Sequence, residues 1–166
     1  MIRTLGKLIL TMFNIGKLGN FPGTVGSAVT SFLYIIFFYL KVHYLTLFLI
    51  FIFLLLISVY LINFLRDEFE EVDAKEIIID EYLGQSIPIL FFYVILFEAS
   101  VSINFFMVIV LISFIGFRFF DILKPYPINH IDKNYKNGFG VVFDDIVAGI
   151  FTTIVLYLFI VIYDKF

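Results

Sequence analysis

The sequence contains no cysteine and little charge. The absence of Cys from all 166 residues excludes a disulfide scaffold and a zinc–thiolate site. Charged residues make up 15% of the chain, whereas an average soluble domain has about 25%. A disordered chain is excluded as well, because 62% of the residues are hydrophobic. With a net charge of −3, the chain gives no reason to expect nucleic acid as a partner.

Apolar sequence is abundant instead, and it comes in blocks. A bilayer core about 30 Å thick requires roughly 20 helical residues. Five blocks approach or exceed that length: Val25–Leu40, Val42–Leu65, Ile87–Phe97, Val101–Phe117 and Ile146–Tyr163. The third reaches it only if its helix starts near Ile78 and carries Asp80 and Glu81 in its first turn. The sequence therefore predicts an all-α, polytopic membrane bundle of about four to five hydrophobic helices.

The distribution of basic residues predicts how the bundle is oriented. Five spans place segments 1–24, 66–86 and 118–145 on one face, and these contain 9 of the 11 Lys and Arg residues. By the positive-inside rule, this face is expected to be cytoplasmic. The first 13 residues lack a cleavage site and are interpreted as an interfacial helix. We expect residues 1–166 to form a single membrane-embedded domain.

A glycine-rich segment, residues 16–27, precedes the first block. Its glycines surround Pro22, and Thr24 or Ser27 could cap the helix that follows. Such a loop offers free backbone N–H groups, and Thr24 and Ser27 offer hydroxyls, to an anion. The Gly-Lys-Ser/Thr ending of a Walker A loop is missing. An ordinary helix start with turn glycines is the alternative interpretation.

Two acidic pairs, Asp80–Glu81 and Asp144–Asp145, each stand at the predicted opening of a helix on the same face. Small residues follow one turn later: Gly84 in the first case, Ala148 and Gly149 in the second. Acids at helix N-termini are stabilising by about 0.3–1 kcal/mol, so each pair alone could be structural. Two such pairs on one face would repel unless a cation lies between them. Their oxygens suit Mg²⁺, which prefers carboxylates and substrate phosphate.

Arg118, Asp121 and Lys124 recur at intervals of three residues, which places them on one side of a helix. Two cations on one face could bind a phosphate, with Asp121 as orienting group, ligand or base. A salt bridge at the helix end is the alternative, and Pro125 favours a helix that ends before Lys124. The two histidines carry less information: His43 is expected at the opposite interface, and His130 has no partner motif.

Taken together, these segments resemble the phosphatidylglycerophosphatase A family. The similarity rests on four blocks in the family's order: Gly19–Ser27, Asp80–Glu81 with Gly84, Phe117–Asp121 with Lys124–Ile128, and Gly138–Gly140 with Asp144–Asp145 and Ala148–Gly149. The resemblance implies a Mg²⁺-dependent enzyme of the bacterial inner membrane. Its reaction would remove the phosphomonoester of phosphatidylglycerophosphate and produce phosphatidylglycerol and phosphate.

On this interpretation, each candidate residue has an expected role. Asp80, Glu81, Asp144 and Asp145 would hold metal, and Asp121 would join them in catalysis. Thr24, Ser27, Arg118 and Lys124 would bind the substrate phosphate. A CDP-alcohol phosphotransferase is less favoured, because such enzymes carry their paired aspartates within one segment, whereas the acids of this chain are divided between two loops. A non-catalytic membrane scaffold or a transporter would also agree with the composition, although no charge lies near the middle of a span.

Overall fold

The computed structural model describes residues 2–99 and 101–163, and within them it contains seven α-helices and no strand. Their bounds are α1 Ile2–Leu10, α2 Pro22–Tyr39, α3 Tyr44–Phe64, α4 Ile79–Glu98, α5 Ile103–Leu123, α6 Ile128–Asn134 and α7 Gly138–Tyr163. α2, α3, α4, α5 and α7 are long and apolar enough to cross a membrane. The prediction of an all-α bundle with five hydrophobic helices is confirmed, and the architecture indicates a multi-pass membrane protein.

Helix α4 is the central helix of the bundle. It packs against α2, α3, α5 and α7. About 67% of the residues in the most apolar 18-residue stretch of α4 are buried, whereas in the other four long helices the corresponding share is 22–28%. Those four present apolar side chains outward, as helices surrounded by lipid do. α4 begins at Ile79 and carries Asp80 and Glu81 in its first turn, as its required length predicted.

The helix starts follow local capping, with two departures from expectation. α2 begins with Pro22 at its first position, so Thr24 and Ser27 lie inside the helix instead of capping it. The Ser27 hydroxyl donates to the Gly23 carbonyl, the bond of a hydroxyl within a helix. Proline is favoured at a first helical position because the N–H that it lacks has no helical partner there.

The second departure concerns α7, which begins at Gly138, eight residues before the block expected from Ile146. Asp144 and Asp145 therefore lie in the second turn of α7 and not at its opening. Side chains outside the helix explain the early start: Asn63 accepts the Gly138 N–H at 2.8 Å, and Asn137 accepts the Gly140 N–H at 3.0 Å. These caps outweigh the low helix propensity of glycine.

The amphipathic helix α1 lies against the end of α3. Gly6 is in close contact with Leu61 and Leu65, and Glu68 forms ion pairs with Arg3 at 2.7 Å and Lys7 at 2.8 Å. Hydrogen bonds from Lys7 and Arg3 lower the pKa of Glu68. The expected N-terminal helix is confirmed, and these contacts hold it against the end of α3 and the connector that follows.

Close approach of α4 and α7 depends on Gly84 and Gly149. A Cβ on Gly84 would lie 2.6 Å from the Asp145 carbonyl oxygen, and one on Gly149 would collide with the Gly84 carbonyl. Backbone atoms cannot move aside as flexible side chains do. Small residues at a membrane helix crossing allow this backbone contact, and here it sets Asp145 beside the first turn of α4.

We expect Gly84→Ala to lower the free energy of unfolding by about 1–3 kcal/mol, since the added methyl group must separate the two helices. Gly116→Ala is the matched control, because its Cβ would meet only the side chain of Thr152, with the methyl group at 2.9 Å. Unfolding of the detergent-solubilised proteins measures both. Equal losses in the two variants would contradict the proposed role of the Gly84 contact.

Candidate active site

Three carboxylates meet where α4 and α7 cross. Asp80, Glu81 and Asp145 each contribute one oxygen to a group in which all the oxygens lie within 4.8 Å of one another. The side chains of Asp80 and Asp145 are buried, at 6% and 4% exposure. The contact through Gly84 and Gly149 brings together acids that are more than 60 positions apart in the chain.

This cluster could hold a metal ion. Two like charges 4 Å apart repel by about 4 kcal/mol at an effective dielectric constant of 20, so three adjacent carboxylates require compensation. Asp80 Oδ1 and Glu81 Oε2 are buried and have no hydrogen-bond partner among the described residues. Unpaired carboxylate oxygens in a group of this size are the ligands that a small, hard divalent cation prefers. The donor set therefore fits Mg²⁺.

Asp144 lies apart from this cluster, although the sequence grouped it with the metal ligands. Its Oδ2 accepts a 2.7 Å hydrogen bond from Lys124 Nζ, which is also 3.3 Å from Asp132. Burial opposes the charge of Lys124, but the hydrogen bond and negative charge of Asp144 outweigh it and raise the pKa of Lys124. Adjacent helical residues point about 100° apart, so one acid of the pair faces α4 and the other faces Lys124.

The expected triad is split into separate ion pairs. Arg118 Nη1 lies 2.6 Å from Asp121 Oδ2, while Lys124 turns to Asp144 and Asp132. α5 ends at Leu123, and Lys124 adopts a left-handed conformation with φ 42°. The prediction that Pro125 keeps Lys124 out of the helix is confirmed. Because Lys124 leaves the helix, its side chain no longer follows the face that holds Arg118 and Asp121.

Arg118 lies beside the acidic cluster. Its Nη1 is 3.5 Å from the Ser27 hydroxyl, and both Arg118 and Glu81 adjoin the Cα of Gly23 so closely that a Cβ there would collide with the Glu81 carboxylate. Asp121 also lies close to Asp145. The Arg118–Asp121 pair thus borders the acids, and Gly23 provides the space that both side chains occupy.

A cleft of about 310 Å³ opens onto this site. Glu81 and Arg118 line it together with Gly23 and Thr24 from the start of α2, and the segment 73–77 forms its other wall. A carboxylate, a guanidinium and a threonine hydroxyl therefore share one water-accessible space. The volume accommodates a phosphate group with part of an attached alcohol.

The structure thus brings together most of the expected residues. Asp80, Glu81, Asp145, Asp121, Arg118, Ser27 and Thr24 surround one region, and Lys124 with Asp144 forms a second, adjoining pair. Sequence reasoning missed Asp132 and Asp73, which belong to none of the motifs: Asp132 pairs with Lys124, and Asp73 lines the cleft. The histidines lie elsewhere: His43 caps α3, and His130 contacts Asn134.

Comparison with known proteins decides the family. A sequence profile described as Phosphatidylglycerophosphatase A matches residues 8–160. The chain belongs to the phosphatidylglycerophosphatase A family. That match covers all four sequence blocks and every residue of the site described above. No solved structure matches this chain.

Individual curated relatives match shorter segments. Phosphatidylglycerophosphatase A of Haemophilus influenzae is 51% identical over 45 residues, covering 27% of this chain and 28% of that protein. The Escherichia coli protein of the same name is 46% identical over 44 residues, 26% of each chain. A Bacteroides thetaiotaomicron protein named "Putative phosphatidylinositol-3-phosphatase" is 33% identical over 85 residues, 51% of this chain and 47% of that one. These alignments span less than half the length of each curated relative.

Proposed function

We propose that this protein is a Mg²⁺-dependent lipid phosphatase that hydrolyses the phosphomonoester of phosphatidylglycerophosphate to phosphatidylglycerol and phosphate. The observation that carries the proposal is the buried cluster of Asp80, Glu81 and Asp145 beside Arg118, at the mouth of a cleft. Family membership and the names of two relatives support the choice of substrate.

The proposal includes a location. Residues 1–166 form one membrane-embedded phosphatase domain in a bacterial inner membrane, with the site on the cytoplasmic face. Nine of the 11 basic residues belong to the segments expected on that face, which supports this orientation. A lipid whose acyl chains lie in the bilayer presents its phosphate at the level of the headgroups. A site at the ends of spanning helices is placed to meet it there.

The residues divide the work of phosphate hydrolysis. Arg118, oriented by Asp121, neutralises a phosphate that enters the cleft, and Thr24 offers its hydroxyl to the phosphate oxygens. Ser27 is buried and donates to the Gly23 carbonyl, so its hydroxyl oxygen acts through Arg118 and not on the phosphate. Asp80, Glu81 and Asp145 would hold Mg²⁺, with Asp144 as an outer residue held by Lys124. A bound Mg²⁺ stabilises the charge that develops on the phosphoryl oxygens.

Two routes can break the phosphomonoester bond. In the first route, water attacks phosphorus, a carboxylate such as Asp121 accepts its proton, and the P–O bond to phosphatidylglycerol breaks, the departing oxygen taking up a proton. In the second, a carboxylate attacks and forms an aspartyl phosphate, which water then hydrolyses. The absence of an Asp-x-Asp-x-Thr pattern favours water. A single turnover quenched in acid and reduced with borohydride tests this choice: conversion of an Asp to homoserine would reveal an acyl phosphate and contradict direct attack by water.

The test of the proposed function is phosphate release by the purified protein with and without Mg²⁺. Phosphatidylglycerophosphate is compared with phosphatidic acid, phosphatidylinositol 3-phosphate and soluble phosphomonoesters. We expect Mg²⁺-dependent release that is fastest from phosphatidylglycerophosphate. Faster release from phosphatidylinositol 3-phosphate would overturn the substrate, and Mg²⁺-independent release would overturn the metal.

A non-catalytic scaffold would show no release from any of these lipids. A transporter is not favoured, because the buried charged side chains among the described residues, Asp80, Asp144 and Asp145, all lie at one end of the bundle. Reconstitution in vesicles separates the activities further, since hydrolysis yields phosphate from lipid without movement of solute.

A further inference from the structure

Gln85 is a fully buried polar residue one turn beyond Glu81. Its side chain is 0% exposed, and neither its amide nitrogen nor its amide oxygen has a hydrogen-bond partner among the described residues. A buried amide that is not hydrogen-bonded opposes folding, so such groups are rare in natural proteins. The residue therefore requires an explanation other than packing.

The other unpartnered buried atoms point to the same region. Of seven such side-chain atoms in the described part of the chain, five belong to Asp80, Glu81, Gln85 and Arg118. The remaining two are the hydroxyls of Ser58 and Ser113. A hydroxyl in a helix can turn to the carbonyl four residues earlier, as Ser86 and Thr152 do. A glutamine side chain has no comparable local partner.

The position of Gln85 on α4 relates it to Glu81. Residues four apart on a helix are neighbours on one face, with Cβ atoms about 5–6 Å apart. The Gln85 amide can thus donate to the Glu81 carboxylate, whose Oε2 is buried and unpartnered. Gly23 and Arg118 border the same carboxylate from the other side. The Glu81 carboxylate is thus bordered by Gly23 and Arg118, and its Oε2 has no hydrogen bond among the described residues.

We propose that Gln85 is a positioning residue, whose amide holds the Glu81 carboxylate in the orientation that binds the divalent cation. With the cation bound, the amide N–H donates to one Glu81 oxygen, directly or through one water, and leaves the other oxygen for the metal. Outer groups of this kind fix the geometry of metal ligands, and their loss weakens metal binding about 10–100-fold. This role rests on the proposed Mg²⁺ site and extends it by one turn of α4.

The test uses Gln85→Leu and Gln85→Met in the purified, detergent-solubilised full chain. The melting temperature is measured in EDTA and then at increasing Mg²⁺, alongside phosphate release. Without metal we expect both variants to melt at the same temperature as the original protein or higher, because an unpartnered amide is removed. The Mg²⁺ concentration for half-maximal stabilisation and for half-maximal activity should both rise about tenfold.

Ser58→Ala is the matched control, since it removes a buried unpartnered hydroxyl from α3, outside the site. Its Mg²⁺ response should equal that of the original protein. An unchanged Mg²⁺ response in both Gln85 variants would overturn the positioning role, and so would a lower melting temperature in EDTA for both. A protein that melts independently of Mg²⁺ and releases no phosphate would instead contradict the proposed function.

Discussion

Asp145→Asn is expected to reduce phosphatase activity by about 1,000-fold or more while leaving a folded protein. The substitution removes one of three clustered carboxylates, and in the proposed function this carboxylate is a charged metal ligand that contributes to transition-state stabilisation. Metal-free protein should melt at a higher temperature than the original, because one repulsive buried charge is lost. Stabilisation by Mg²⁺ should largely disappear. Phosphate release and thermal unfolding with and without Mg²⁺ measure these effects.

Asp67→Asn is the control for this experiment. Asp67 is an exposed carboxylate in the connector after α3, outside the acidic cluster. Its removal changes the net charge equally but should alter neither activity nor the Mg²⁺ response. Normal turnover by Asp145→Asn would show that the acidic cluster is not the metal site. A lower melting temperature without metal would show that Asp145 has a structural role.

Lys124→Met is expected to destabilise the protein by about 2 kcal/mol and to reduce activity by about 100-fold. The substitution leaves Asp144, whose side chain is 6% exposed, without its 2.7 Å partner. Removing one partner of a buried ion pair costs about 3–5 kcal/mol, and the partial exposure of Lys124, at 28%, reduces that figure. The loss of activity is smaller than for Asp145→Asn because Lys124 lies near the acidic cluster but outside it, so its positive charge contributes less to transition-state stabilisation.

A second variant separates the two effects. In Lys124→Met/Asp144→Asn no buried charge is left unpaired, so stability should recover while activity stays low. Lys136→Met is the surface control: Lys136 is 64% exposed and 3.7 Å from Asp132, so its loss should change stability by about 1 kcal/mol at most. If Lys124→Met proved as stable as Lys136→Met, the Lys124–Asp144 pair would not stabilise the fold.

Hydrophobic length predicted the five long apolar helices correctly. The start of α4 is the sharpest case, because the short block at Ile87 could span only by including Asp80 and Glu81. Capping was predicted less well. The helix α7 starts at Gly138 since Asn63, 75 positions earlier, accepts its N–H, and no local signal announces such a contact.

The division of the acids was also beyond the sequence. The sequence assigned all four carboxylates of the two pairs to the metal, but the structure joins Asp80, Glu81 and Asp145 and pairs Asp144 with Lys124. Which acid faces which neighbour depends on the rotation of α7 about its axis. That rotation is set by the backbone contact between Gly84 and Gly149, which two distant segments form together.

The sequence alone determined that this is a helical membrane protein, because charge is scarce and the apolar residues form long blocks. It also determined that the ionisable groups lie in a few short segments, and the lack of cysteine excluded thiolate and disulfide chemistry. The lengths of the apolar segments and the family motifs depend only on residues that are close together in the sequence, so the sequence is sufficient to identify them. Only the tertiary structure decided which of those groups form one site, because carboxylates more than 60 positions apart meet through helix packing. It also buried Gln85, one helical turn beyond Glu81, without a hydrogen-bond partner for its amide.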